Sequence, residues 1–233
     1  MQTTTTPKDF LSVLNFDSAD LDRTLRLATR LKADRALGRQ APTATALQGR
    51  HIALLFDKPS LRTRTTFEIA VRELGGDLVV LQPDVALGQR EPVADVARNL
   101  ERWVDAVVMR TFSQCVLEEL AGAAPRLHVI NALTDQEHPC QAIADFLTLQ
   151  ERLGTLRGRT IAYVGDGNNV ATSLAHAAAM LGVHFHIASP DSYQLPHAVV
   201  QQARARARFG ARLRAFAHAA DAVVGADVVY TDT

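Results

Sequence analysis

The sequence predicts an α/β fold of two domains with parallel sheets flanked by helices, and three observations predict it. From His51 onward, short β-rich runs alternate with longer amphipathic stretches, the rhythm of βαβ units. That rhythm persists through the second half of the chain, where parallel sheets covered by helices are the expected outcome. Near Gly154 and Gly158 the helical pattern breaks and a new strand begins, which places a domain boundary there.

In order, the stretch from Ser18 to Leu37 has a periodic apolar face, with Ser18 and Asp20 as candidate caps, and is expected to pack on the first sheet. HIALLF is the first strand, followed by a helix beginning near Thr63, strand DLVVL and a helix from Pro92 to Val104. Strand AVVMRT, a helix over Gln114 to Ala123, strand LHVINA and a long helix from His138 to Leu153 complete a domain at 8–150. The second domain, 151–233, opens with strand IAYVG, a helix from Asn169 to Leu181 and strand HFHIAS, and the two domains are expected to share a cleft. Arg204, Arg206, Arg208, Arg212 and Arg214 in QQARARARFGARLRAF are read as a solvated helix face and strand edge. VVYTDT reads as a strand leading into a loop with no closing helix after it, so the second domain is expected to be incomplete.

Composition narrows the class. Apolar residues are 47% and charged residues 21%, with 25 acidic and 25 basic side chains, which describes an ordinary soluble protein and implies no nucleic-acid partner. Met1 to Pro7 is polar and threonine-rich, without a signal-peptide pattern, and no apolar run has membrane-spanning length, so the expected location is cytoplasmic with no membrane partner. Cys115 and Cys140 are read as reduced thiols. His128, His184 and His186 lie in or beside apolar strands and are given packing or surface roles.

The chemistry concentrates in three places. After HIALLF comes DKPSLRTRTTFE, in which Pro59 and Ser60 turn the chain into a helix whose first N–H groups face back toward the strand end, an anion site. Ser60 and Thr63 add hydroxyls and Arg62 a planar fork matched to two phosphate oxygens; a capped helix with surface arginines is the plainer alternative. Arg110, at the end of AVVMRT, occupies a strand's carboxyl end, where ligands bind in open α/β sheets. His138, Pro139, Cys140 and Gln141 open a helix in which Pro139 suits the first turn. There a histidine donor to a carbonyl and a glutamine reader of an amide NH2 fit a carbamoyl group without a metal.

PSLRTR, MRT and HPCQ, in this order and spacing, resemble the carbamoyl-phosphate site of the aspartate and ornithine carbamoyltransferase superfamily. HPCQ, GDGNN at Gly165 to Asn169 and the terminal TDT resemble its ornithine branch, and the likeness runs from the first helix to Thr233. The resemblance implies that Ser60, Leu61, Arg62 and Thr63 cradle the phosphate, and that Arg110 bridges phosphate and carbonyl oxygens. It further implies that His138 to Gln141 hold the carbamoyl group, with Arg62, Arg110 and His138 as the catalytic set. Asn169 and Asp232 are implied to contact the α-amino and α-carboxylate end of ornithine, although Asn168 and Asn169 read equally well as a helix cap and its neighbour. The implied reaction joins carbamoyl phosphate to L-ornithine, giving citrulline and phosphate, in arginine biosynthesis, with no cofactor, in a homotrimer.

The sequence departs from the family pattern in places. Leu61 stands where many relatives have threonine, and Ala86 where they have a glutamine that reaches a neighbouring subunit, with Gln89 or Arg90 as substitutes. Trp103 and the loop from Ala86 to Glu91 are expected near that contact. The family's later S-M-G loop, H-C-L-P motif and returning helix are absent from the sequence. The alternatives left open are transfer to another amine, such as an acylated ornithine, putrescine or aspartate, and a catalytically incomplete carbamoyl-phosphate-binding paralogue.

Overall fold

A computed structural model describes residues 7–87 and 91–232. Helix α1, Ser18–Asp34, precedes the first sheet, whose strands β1 (His51–Phe56), β2 (Asp77–Leu81), β3 (Ala106–Arg110) and β4 (His128–Leu133) run parallel in the order β2-β1-β3-β4. Because successive strand residues point to opposite faces, β1 divides its side chains between two apolar clusters. Ala53 and Leu55 join Val107, Met109 and Val129 in one, beside helices α4 (Val93–Trp103) and α5 (Gln114–Ala123). Ile52 and Leu54 join Ala106 and Val108 in the other, with Val71 of helix α2 (Leu61–Glu73). Burial on both faces is why β1 and β3 are apolar from Ile52 to Leu55 and from Ala106 to Met109 rather than alternating, whereas edge strand β2 leaves Val79 and Val80 exposed. A four-residue helix, α3 (Pro83–Ala86), follows β2 and starts on Pro83.

The second unit repeats the plan. Strands β5 (Thr160–Val164), β6 (His184–Ala188), β7 (Leu213–Phe216) and β8 (Val228–Tyr230) are parallel in the order β7-β6-β5-β8. Helices α6 (Pro139–Leu153), α7 (Asn169–Leu181), α8 (His197–Arg206) and the short α9 (Ala219–Ala222) accompany them. Every residue of α7 from Val170 to Leu181 is buried, and its alanines at 171, 175, 177 and 178 are fully so, which makes it the unit's central helix.

Three expectations need adjustment. Helix α1 ends at Asp34 and tightens into a 3-10 segment, Arg35–Gln40, because Gly38 at φ 55° cannot continue an α-helix. Its cap is Asp17 rather than Ser18: Asp17 Oδ1 accepts from the Asp20 N–H at 2.7 Å, and Asp20 Oδ2 accepts from the Asp17 N–H at 3.0 Å. Leu21 and Leu25 of α1 pack with Phe146, Leu174 and Ala178 of the second unit's core, not on the first sheet. By packing, the described residues fall into two compact units, one of residues 7–11 with Arg26–Asp135 and the other of Ser12–Leu25 with the residues from Gln136 to Asp232. Helix α6 falls in the second because Ala142 and Phe146 share that unit's apolar cluster.

Other features match the reading. All five arginines of the 204–214 segment are exposed, on α8, the following loop and edge strand β7. Neither cysteine is in a disulfide. His128 Nδ1 lies 2.7 Å from the Lys8 carbonyl on the surface, and His186 Nδ1 lies 3.0 Å from that of Ala222 in a half-buried position. Among the described residues, no helix is long and apolar enough to cross a membrane.

Candidate functional site

In the first unit the residues read from the sequence as a cradle stand at the start of α2. Ser60 is the extended N-cap, at φ −158° and ψ 109°, and its hydroxyl accepts from the Thr63 N–H at 3.3 Å. Arg110 ends β3 opposite Phe56 of β1, and its Nη1 donates to Thr63 Oγ1 at 3.2 Å, so the strand end and the helix start meet through side chains. The pairing of β3 with β4 slips between Met109 and Arg110, a bulge of the kind that re-aims a side chain at a strand end. The slip is anchored by buried polar groups: Asn131 Nδ2 donates to the Leu11 carbonyl at 2.8 Å, and Thr134 Oγ1 to Gln114 Oε1 at 2.7 Å.

The electrostatics at this point are one-sided. Neither Arg62 nor Arg110 forms an ion pair with any described carboxylate, and the buried Nε of Arg110 has no hydrogen-bond partner among the described residues. Burial, and then the neighbouring Arg62 charge, hold the Arg110 guanidinium below its ordinary pKa. Two like charges at a helix N-terminus, one with a spare buried donor, are a site for an oxyanion. Leu61 is 84% exposed, so its side chain adds nothing to the cradle and its part is that of an N-terminal backbone position.

In the second unit His138 is the N-cap of α6 and Pro139 occupies the first turn. Gln141 Nε2 donates to Asp145 Oδ1 at 2.9 Å, which fixes the amide so that Oε1 is the end left to accept from a ligand NH2. Tyr230 at the end of β8 donates to the other Asp145 oxygen at 3.0 Å and stacks on Tyr163 at 5.7 Å. Burial raises the Asp145 carboxyl above its usual range, and the nearby Asp232 charge adds to the rise. The Cys140 thiol is pushed up to about 12 by burial, so it is a neutral packing group there and no nucleophile.

The GDGNN turn settles which asparagine caps α7. Asn168 is the N-cap, its Oδ1 accepting from Val170 and Ala171 at 2.9 and 3.0 Å, and its Nδ2 donates to Asp232 Oδ2 at 2.9 Å. Asn169 is the first helical residue, with its Oδ1 3.0 Å from the Val170 N. Asp232 is thus tied to Asn168, the neighbour of the residue singled out from the sequence. Gly167 must be glycine, since a Cβ there would stand 2.4 Å from the Leu195 backbone N. Burial and then the carboxylates of Asp232 and Asp166 raise the Tyr163 phenol, and Asp145 with Asp232 contributes to the same effect at Tyr230. Both phenols therefore stay neutral and act as hydrogen-bond donors.

Family models agree with these features over nearly the whole chain. The carbamoyl-phosphate-binding domain of aspartate/ornithine carbamoyltransferases matches residues 8–151, and the aspartate/ornithine-binding domain matches residues 157–233. The chain belongs to the aspartate/ornithine carbamoyltransferase family. Among the relatives of this carbamoyltransferase is the ornithine carbamoyltransferase of Symbiobacterium thermophilum, 44% identical over 99% of this chain and 74% of that one. That of Anoxybacillus flavithermus is 43% identical over 97% of this chain and 71% of its own length. Among solved structures, ornithine carbamoyltransferase from Pyrococcus furiosus matches with a TM-score of 0.92 at 37% identity, covering 98% of this chain and 72% of that chain. The enzyme from Gloeobacter violaceus matches at 0.88 and 42%, covering 99% and 75%.

Sequence reading of this carbamoyltransferase missed Asp145, which bonds Gln141, Tyr230, which bonds Asp145, and Glu137, which bonds Ser173 and His176. Asp145 lies at i+4 from Gln141, a spacing that signals a side-chain pair on a helix and was available in advance. Gln89, Arg90 and Thr233 lie outside the described residues, as does the side chain of Ala86.

Proposed function

We propose that this chain acts as an ornithine carbamoyltransferase, transferring the carbamoyl group of carbamoyl phosphate to the δ-amine of L-ornithine. The observation that carries the reading is the pair of guanidiniums, Arg62 and Arg110, standing without a carboxylate partner at the N-terminus of α2. Ser60, Leu61, Arg62 and Thr63 hold the phosphate, through hydroxyls, backbone N–H groups and the Arg62 fork. Arg110 reaches both phosphate and carbonyl oxygens; His138 donates to the carbonyl, and Gln141 accepts from the carbamoyl NH2. Asn169 and Asp232 take the amino-acid end of ornithine, with Asp232 held by Asn168 at 2.9 Å.

In the reaction the neutral δ-amine attacks the carbonyl carbon, a C–N bond forms, and the carbonyl oxygen becomes an oxyanion beside Arg110 and His138. Collapse breaks the bond between that carbon and the bridging oxygen, and the departing phosphate takes the amine proton, leaving citrulline. The residues named position and stabilise charge and take no covalent part.

The proposal extends to a cytoplasmic enzyme of arginine biosynthesis that assembles as a homotrimer. Trp103, 65% exposed on the first unit, is the kind of aromatic anchor a subunit contact would cover. Calorimetric titration with carbamoyl phosphate, followed by an assay of ureido product with ornithine, putrescine and aspartate in turn, tests the reading. Binding with citrulline formed from ornithine is expected. Binding without turnover would identify a carbamoyl-phosphate-binding protein that is not a transferase, and no binding would overturn the cradle.

A further inference from the structure

Behind His138 lies a buried polar cluster that the reaction does not use directly. Glu137 is 5% exposed, and its carboxylate accepts from Ser12 Oγ at 2.5 Å and Ser173 Oγ at 2.6 Å. His176 Nδ1 lies 3.1 Å from the same carboxylate, and because a carboxylate only accepts, that nitrogen carries the proton. Burying a carboxylate costs several kcal/mol unless donors surround it. Here the donors outweigh burial, and the carboxyl is held below its usual range.

One of those donors also reaches the site. The hydroxyl of Ser173, fully buried on α7, donates to Glu137 and accepts from the backbone N–H of His138 at 2.9 Å. His138 sits at φ −131° and ψ 67°, outside the regular regions, with no side-chain cap on the helix it begins. Its backbone is therefore held by a hydroxyl whose own proton is committed to a buried carboxylate. Ser173 also stands four residues after Asn169, so the same helix carries the support for one end of the reactants and a contact for the other.

We infer that Glu137 and Ser173 are positioning residues, which fix the His138 backbone so that His138 and Gln141 together discriminate a carbamoyl group from bare phosphate. The inference rests on the functional reading above. Its test is calorimetric titration of the full chain with two probes, phosphonoacetamide, a stable analogue carrying both the amide and the phosphonate, and inorganic phosphate. Ser173→Ala and Glu137→Gln are each expected to weaken phosphonoacetamide about tenfold, the worth of roughly one hydrogen bond, with phosphate affinity unchanged. Ser12→Ala removes a hydroxyl from the same carboxylate without touching His138. It is expected to lower the melting temperature while leaving both affinities intact, which separates positioning from mere stability. Equal weakening of both probes, or unchanged discrimination in Ser173→Ala and Glu137→Gln, would overturn the inference alone. A wild-type chain that binds neither probe would overturn the functional reading and the inference with it.

Discussion

A guanidinium cannot shed its proton when it is buried, so an arginine without a counter-charge stays uncompensated until an anion arrives. Arg110 is in that condition, half-buried beside Arg62 and bonded to a neutral threonine hydroxyl. Arg110→Ala should therefore reduce citrulline formation about 100- to 1000-fold, the usual cost of one oxyanion donor. Arg208→Ala, on an exposed loop, should leave the rate nearly unchanged; similar small effects in steady-state assays would remove Arg110 from the mechanism. The two cysteines offer a second check. With its thiol pushed up to about 12, Cys140 should resist iodoacetamide at pH 8 while exposed Cys115 is alkylated, and peptide mass spectrometry would reveal the opposite order if it holds.

The N-terminus of α2 has to serve both folding and binding, and substitutions at Ser60 separate the two. Ser60→Ala should lower stability in urea titrations by about 1 kcal/mol, and Ser60→Gly by a few tenths, because glycine tolerates the N-cap position. Both remove the hydroxyl, so both should weaken carbamoyl phosphate alike; a loss of affinity that follows stability instead would mean the hydroxyl is only a cap. This helix start was legible because its parts are contiguous in PSLRTR, and α5 and α7 begin and end where the residue pattern places them. Helix α1 was overextended because its apolar period says nothing of the backbone reversal at Gly38. Helix α3 was missed, as a single turn leaves no period to read. Glu137 was illegible for a different reason: its partners Ser173 and His176 lie 36 and 39 residues away, and only the packing of α6 and α7 in one core brings them together.

Across the molecule, two buried carboxyls give opposite pH dependences. Glu137 is depressed on folding, so its stabilisation is present above its ordinary value of 4.5 and is lost as pH falls through the folded value. Asp145 is raised, so its contribution is complete below its ordinary value of 3.8 and is lost as pH climbs through the folded value. Urea unfolding from pH 4 to pH 7 should show Asp145→Asn gaining on the wild type as pH rises. Glu137→Gln should lose ground over the same range, and parallel curves would contradict the signs. The two-domain α/β plan was legible at this scale because strand and helix periods alternate cleanly. The allocation of residues 12–25 was not, since nothing local marks which core Val13, Leu21 and Leu25 will enter.

That allocation has a consequence for biosynthesis. Ribosomes deliver the chain from its first residue, so the segment 12–25 emerges before any of the sheet it will join. At about 5–20 residues per second, the stretch up to Gln136 takes on the order of ten seconds to follow. For that interval Leu21 and Leu25 on the apolar face of a nascent helix, and Val13 in the turn before it, all at most 2% exposed in the fold, have no partner from the rest of their unit. The nascent chain thus presents a transient chaperone-type ligand, and the second unit, though it supplies the earlier segment 12–25, closes only after all of the first has emerged.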